Sequence, residues 1–208
     1  MALPLTFIGI NSQNAGTVCL YPAASQSGDL IVLILNSCIG AMQTPAGFTQ
    51  VGATYQSPTF SYDYGVFRRI RGAETQVNYF TDQGGAKILA FRNASSIGAL
   101  GTWVEAPAVP GSPGATATIS LSSITPQNAA SIVIGYVSHR QSPIAATPTS
   151  AQSAGWTMRN TTAYTLFAES AATKEYGSTS PTGLALFTIV KTTGTDYPSV
   201  GVQIEVLP

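Results

Sequence analysis

Charged side chains are scarce in this chain of 208 residues. They make up 9% of the sequence, and nine basic and nine acidic groups cancel to a net charge of zero, whereas an average soluble protein carries about 25% charged residues. This balance removes the electrostatic attraction on which binding to nucleic acid or to an anionic membrane depends. It also leaves little repulsion between copies. We therefore expect a homo-oligomer, a dimer or a trimer, with no direct nucleic-acid partner and no membrane partner.

Histidine and cysteine are nearly absent as well, since the chain has only His139, Cys19 and Cys38. Serine and cysteine nucleophiles need a nearby base, usually histidine, and we expect His139 in a surface loop after a strand. Two cysteines and one histidine lack the spacing of a zinc site, and we expect both cysteines to be buried thiols rather than a disulfide. The nine acids are scattered along the chain. The sequence therefore predicts no enzyme, no catalytic residues, no metal site and no cofactor.

Long apolar runs are missing too. No stretch of about twenty apolar residues is present to cross a membrane as a helix. Residues 1–6 lack the basic start and the apolar run of a secretory signal. We therefore expect synthesis in the cytoplasm of the producing cell.

What the sequence does contain is short apolar runs separated by turn residues. Residues 28–35 form a bulky, β-branched run opened by Gly28-Asp29, which predicts a strand buried on both faces. A similar run recurs at residues 132–137. Many further short runs with Gly and Pro turns between them, and no convincing helix, predict an all-β chain: a double Greek-key or jelly-roll-like sandwich.

The order of the predicted strands repeats after about one hundred residues, which indicates an ancestral duplication. Five segments match in order: 17–20 with 118–121, 28–35 with 132–137, 46–49 with 154–157, 64–67 with 164–167, and 85–91 with 183–187. We predict one sandwich over residues 17–208, built from halves 17–106 and 115–208, with residues 1–16 as an N-terminal arm or edge strand. Two tandem domains joined at the Pro-rich segment 107–113 are the alternative.

One basic cluster stands out, formed by Arg68, Arg69 and Arg71 with Arg92. On a strand, Arg69 and Arg71 share a face while Arg68 points to the other. One interpretation is a solvated strand end that pairs with Glu74. The other is a contact with an acidic patch on a partner, where arginine is favoured. These four arginines are the candidate partner contacts.

Four motifs carry a resemblance. Gly28-Asp29 opens an apolar strand, residues 45–49 read Pro-Ala-Gly-Phe-Thr, an aromatic and basic strand runs from Val66 towards Glu74, and an apolar strand ends in Arg92-Asn93. The chain resembles phage-encoded virion proteins with a β-sandwich fold, and residues 155–157, Gly-Trp-Thr, extend the pattern into the second half. It departs from the pattern at position 48, where phenylalanine replaces the usual tryptophan.

The resemblance implies a virion structural protein with no catalytic residues to transfer. We expect a capsid decoration, or cement, protein on the phage head, with other copies of itself and the major capsid protein as partners. The alternative is a tail- or fibre-associated adhesin in which Trp103, Trp156 or tyrosines stack on host glycan. The position of Trp156 directly after a turn glycine favours packing in the core instead.

Overall fold

A computed structural model describes residues 3–14, 17–37, 42–59, 62–79, 84–108, 112, 114–142, 155–163, 167–190 and 195–208. Within these ranges the chain forms fifteen strands and no helix, and accordingly no helix there could cross a membrane. The strand pairs with a defined register are antiparallel. The predicted all-β class is confirmed, whereas the jelly-roll connectivity stays a prediction.

The chain divides into two compact units. Unit 1 contains Met1–Ile97 and Val206–Pro208, and unit 2 contains Gly98–Glu205. The division therefore falls before the Pro-rich segment 107–113 that the sequence suggested as a joint. The single sandwich over residues 17–208 stays a prediction.

Unit 1 contains seven strands within the described residues. They are β1 (Thr6–Asn14), β2 (Val18–Leu20), β3 (Leu30–Ser37), β4 (Thr49–Gln56), β5 (Asp63–Ile70), β6 (Gln76–Asn78) and β7 (Gly85–Arg92). Five of them form a sheet in the order β1-β7-β3-β5-β4, and β2 pairs with β6 in a second layer. All eight residues of β3 are buried, which confirms the predicted central strand. β1 lies at the edge of the sheet.

The two-stranded layer of unit 1 packs on one face of its five-stranded sheet. Cys19 of β2 and Val77 of β6 join a buried cluster with Ile31 and Leu33 of β3 and Phe67 of β5. Full burial of each large apolar side chain in such a cluster contributes roughly 1.5–3 kcal/mol. Cys19 is thus a buried thiol, as predicted, while Cys38 lies outside the described residues.

The remaining strands are arranged in the same way and belong to unit 2, except that residues 96–97 and 206–207 fall in unit 1. They are β8 (Ser96–Leu100), β9 (Val104–Ala106), β10 (Thr116–Leu121), β11 (Ile132–Ser142), β12 (Thr157–Ala163), β13 (Phe167–Glu175), β14 (Ala185–Val190) and β15 (Thr195–Leu207). The sheet order is β12-β13-β11-β15-β8, β9 also pairs with β15, and β10 pairs with β14. Ile119, Leu121 and Phe187 of the small layer pack on Val137 and Ala172 of the sheet.

The two units share one strand topology. The order of the first sheet is β1-β7-β3-β5-β4, and the order of the second, taken from its other edge, is β8-β15-β11-β13-β12. Strands at the same place in the two orders correspond to each other, and the pair β2-β6 corresponds to β10-β14. The match of residues 85–91 with 183–187 is therefore wrong. By topology β7 is equivalent to β15, and β6 is equivalent to β14.

The proposed match of residues 17–20 with 118–121 also needs a shift. It placed Leu20 opposite Leu121, yet Leu20 is 56% exposed and Leu121 is fully buried. Because side chains alternate between faces along a strand, an offset of one residue exchanges the inner and outer positions. β8 (Ser96–Leu100) was not among the strands matched between the two halves. The matches at residues 154 and 164–166 lie outside the described part of the chain.

Candidate functional site

Three of the four predicted contact arginines lie at the end of unit 1 where β3 begins. Asp29, only 2% exposed, precedes β3, and its Oδ1 and Oδ2 accept hydrogen bonds from Nε and Nη2 of Arg92, both at 3.1 Å. The Gln26 N–H donates to Oδ2 at 2.8 Å, and Arg92 also reaches the Ala24 carbonyl at 3.3 Å. The hydrogen bond to Asp29 raises the pKa of Arg92. Arg92 thus fixes the turn that leads into the central strand.

Arg71 is held by the same turn. Its main-chain N–H donates to the Asp29 carbonyl at 2.8 Å, and its own carbonyl accepts from Gly28 at 2.9 Å. Its guanidinium binds the carbonyl and hydroxyl of Ser25 and lies over the Tyr21 ring, 5.3 Å from the centroid. Arg71 therefore holds the turn that contains Ser25, Gly28 and Asp29 against the end of β5.

Arg69 forms an ion pair with Glu74 and lies over the Phe48 ring, 5.3 Å from its centroid. Gly47 has a φ of 77° and leaves room for this side chain, because a Cβ there would lie 3.2 Å from Nη1 of Arg69. The pKa of Glu74 is lowered by backbone hydrogen bonds from its own N–H and that of Gly72, and further by Arg69 and Arg71. The expected pairing of the cluster with Glu74 is observed.

Arg68 points to the opposite face of β5, as the strand period predicted. It lies opposite Val32 of β3 and Thr49 of β4 and is half-buried. The structure therefore brings Arg69, Arg71 and Arg92 together and separates Arg68 from them. A partner contact through these arginines stays a prediction.

An open groove runs along β6 beside Arg69. One part, of about 290 Å³, is lined by Ala46, Arg69, Glu74, Gln76, Val77 and Asn78. The adjoining part, of about 500 Å³, is lined by Thr17, Gln43, Thr44, Pro45, Ala46, Asn78 and Tyr79. β6 is thus one wall, and the segment 43–46 is the other. Among these lining residues the charged side chains are the paired Arg69 and Glu74.

Among the described residues of both two-stranded layers, no charged side chain lies on the outer face. In unit 1 the outward residues of β2 and β6 are Val18, Leu20, Gln76 and Asn78. In unit 2 the outward residues of β10, β14 and the residue before β14 are Thr116, Thr118, Ser120, Leu184, Leu186, Thr188 and Val190. Leu20, Leu184 and Leu186 are 56%, 58% and 41% exposed. Both units therefore present a neutral, partly apolar surface.

His139 is not in a surface loop, so that prediction is wrong. The strand predicted to end at Val137 continues to Ser142 as part of β11, and this carries His139 into the interior, where it is 1% exposed. Its Nδ1 lies 2.8 Å from Oγ of Ser199. Over the described ranges, no group of three or more His, Cys, Asp or Glu side chains could hold a metal ion.

Glu205 is a buried residue that sequence reasoning missed. Its Oε1 accepts from Oγ of Ser131 at 2.6 Å and from the Gln127 N–H at 2.7 Å, and its Oε2 accepts from the Ala99 N–H at 2.8 Å. By topology, Ser131 and Glu205 take the places that Asp29 and Arg92 hold in unit 1. The signal that could have placed Glu205 in the interior is the equivalence of β15 with β7, whose residues are nearly all buried.

No protein-family model, curated protein or solved structure matches this chain.

Proposed function

We propose that the protein is a non-enzymatic structural protein of a phage particle, a decoration protein that covers the capsid head. It binds the major capsid protein and neighbouring copies of itself by burying surface. The observation that carries the proposal is the uncharged outer face of each two-stranded layer, with Leu20 on one and Leu184 and Leu186 on the other.

Such faces suit a contact that is repeated many times. Burying an uncharged surface requires no desolvation of ions, which costs several kcal/mol for each charge. Full burial of a leucine contributes roughly 1.5–3 kcal/mol, and about half of the surface of each exposed leucine remains available, so each adds about 1 kcal/mol. The three leucines together supply about 3 kcal/mol per chain, and a shell multiplies this over every copy.

The alternative of a glycan-binding adhesin has less support. The Trp103 ring packs edge-on against Tyr136, with centroids 6.4 Å apart, and Trp156 packs against the core cluster of unit 2. Both indole rings thus have a packing role, whereas a sugar platform needs an open aromatic face.

Immunogold electron microscopy of intact particles tests the proposed location. Antibody against the purified protein is expected to label heads, and added protein is expected to bind heads that lack it. Label on tails alone would overturn the proposal. Specific binding on a glycan array that Trp103→Ala abolishes would support the adhesin instead.

A further inference from the structure

The edge of β6 that faces the groove has its main-chain groups directed outward. The main-chain N–H of Tyr21 donates to the Thr75 carbonyl, and that of Tyr79 donates to the Thr17 carbonyl, both at 2.9 Å. Cys19 lies opposite Val77. In an antiparallel pair the residues between such hydrogen-bonded positions point their N–H and C=O away from the partner strand. Gln76 and Asn78 occupy these positions. Their main-chain groups therefore face the groove, and among the described residues no hydrogen bond satisfies them.

The neighbouring edges are protected against strand addition. On the far edge of the layer, the Leu20 carbonyl of β2 accepts a hydrogen bond from the Asn11 side chain at 3.0 Å. The edge strand β4 has a bulge between Val51 and Tyr55, and a bulge is a common protection of an edge against pairing. The β6 edge has neither device and opens onto a groove.

The groove selects what can pair there. The segment 43–46 stands opposite β6, so a strand that already belongs to a folded sheet meets this wall, whereas a single extended segment fits between the two. The lining is neutral apart from Arg69 and Glu74, which neutralise each other at one end. A charged segment would lose its hydration there without gaining a counter-charge.

We propose that this groove binds an extended, uncharged segment of a partner protein, which adds to β6 as a third strand of the small layer. The main chain of Gln76 and Asn78 supplies the hydrogen bonds, and the neutral walls reject charged segments. The inference concerns strand pairing and stands apart from the virion location, so either can fail without the other.

A fluorescein-labelled peptide of about ten alternating threonine and valine residues is the probe. Two further versions carry N-methyl groups on every threonine or on every valine. Because alternate N–H groups of an added strand face β6, one methylated version is expected to lose binding by about fivefold or more for each lost bond, and the other to retain it. Fluorescence anisotropy measures the affinities. Hydrogen exchange read by NMR is expected to slow at the amides of Gln76 and Asn78.

Asn78→Pro removes one outward N–H and places a ring in the path of the peptide, so it is expected to weaken binding at least about tenfold. Asn78→Thr, which keeps the N–H, is the matched control and is expected to bind like the wild type. No binding at about 1 mM peptide, equal loss with both methylated peptides, or protection at another strand edge would overturn the proposal. The methylated peptides use the wild-type protein, so the test holds even if Asn78→Pro does not fold.

Discussion

Replacing Glu205 is expected to destabilise unit 2 strongly. Its carboxylate is fully buried and accepts from Oγ of Ser131 and from the N–H groups of Ala99 and Gln127. Alanine leaves these donors without an acceptor. A buried donor without a partner costs about 1–3 kcal/mol.

The magnitude follows from which donors water can reach. Ser131 is 1% exposed, so its hydroxyl bears the full cost, whereas Gln127 is exposed and its N–H can bind water instead. Adding the half-buried Ala99 N–H and the lost packing of the side chain gives a total of about 3 kcal/mol. This lowers the ratio of folded to unfolded molecules by about a hundredfold.

Urea denaturation followed by tryptophan fluorescence measures this cost, because both tryptophans, Trp103 and Trp156, lie in unit 2. With a slope of about 1–3 kcal/mol per molar urea, the midpoint of Glu205→Ala is expected to fall by about 1–3 M. Glu175→Ala, which removes an exposed carboxylate at the end of β13, is the matched control, with a change below about 0.5 kcal/mol. A midpoint for Glu205→Ala equal to that of the control would refute the reasoning.

Three further predictions concern the core, the arginine end and the outer face. Leu121→Ala, at a fully buried position, is expected to cost about 2–5 kcal/mol in urea denaturation, and the same change at the exposed Leu186 less than about 1 kcal/mol; equal costs would contradict the packing described. The pKa of Glu74 is lowered from its ordinary value of 4.5, so its contribution to stability is present above pH 4.5 and is lost as the pH falls through the lowered pKa. Circular dichroism melts of Glu74→Gln should lack this loss, and a pH dependence parallel to that of the wild type would contradict it. Leu186→Lys is expected to lower binding to capsids about tenfold or more by burying an unpaired charge, while Ala53→Lys on the exposed part of β4 should bind normally in the same sedimentation assay; equal binding by the two variants would remove this face from the contact.

The strands with the strongest local signal were the ones that could be predicted. Residues 28–35 and 132–137 are dense in β-branched side chains. The central strand β3 begins at the third residue of the first run, and β11 contains the whole of the second. β8 has a weaker local signal, with Ile97 as its one β-branched residue, and its partner β15 is about one hundred residues away in the chain. Pairing over such a distance leaves little trace in a single sequence.

The errors at the candidate site have the same origin. His139 was expected in a surface loop because it is polar and follows a predicted strand, and Glu205 was only one of the scattered acids. Both are enclosed by neighbouring strands and hydrogen-bonded within unit 2. The arginine cluster was visible in the sequence. Its attachment to Asp29 and Ser25 depends on the turn at residues 22–29 folding back onto the ends of β5 and β7.

The position of β15 has a consequence for how the protein is made. Thr195–Leu207 lies between β11 and β8 in its sheet, and the carbonyl of Leu207 also accepts a hydrogen bond from the Ser95 N–H at 3.0 Å. The sheet of unit 2 can therefore close only after residue 207 has left the ribosome. A ribosome that stops before Thr195 releases a chain in which β11 and β8 lack the strand between them, and such a product is a substrate for proteolysis.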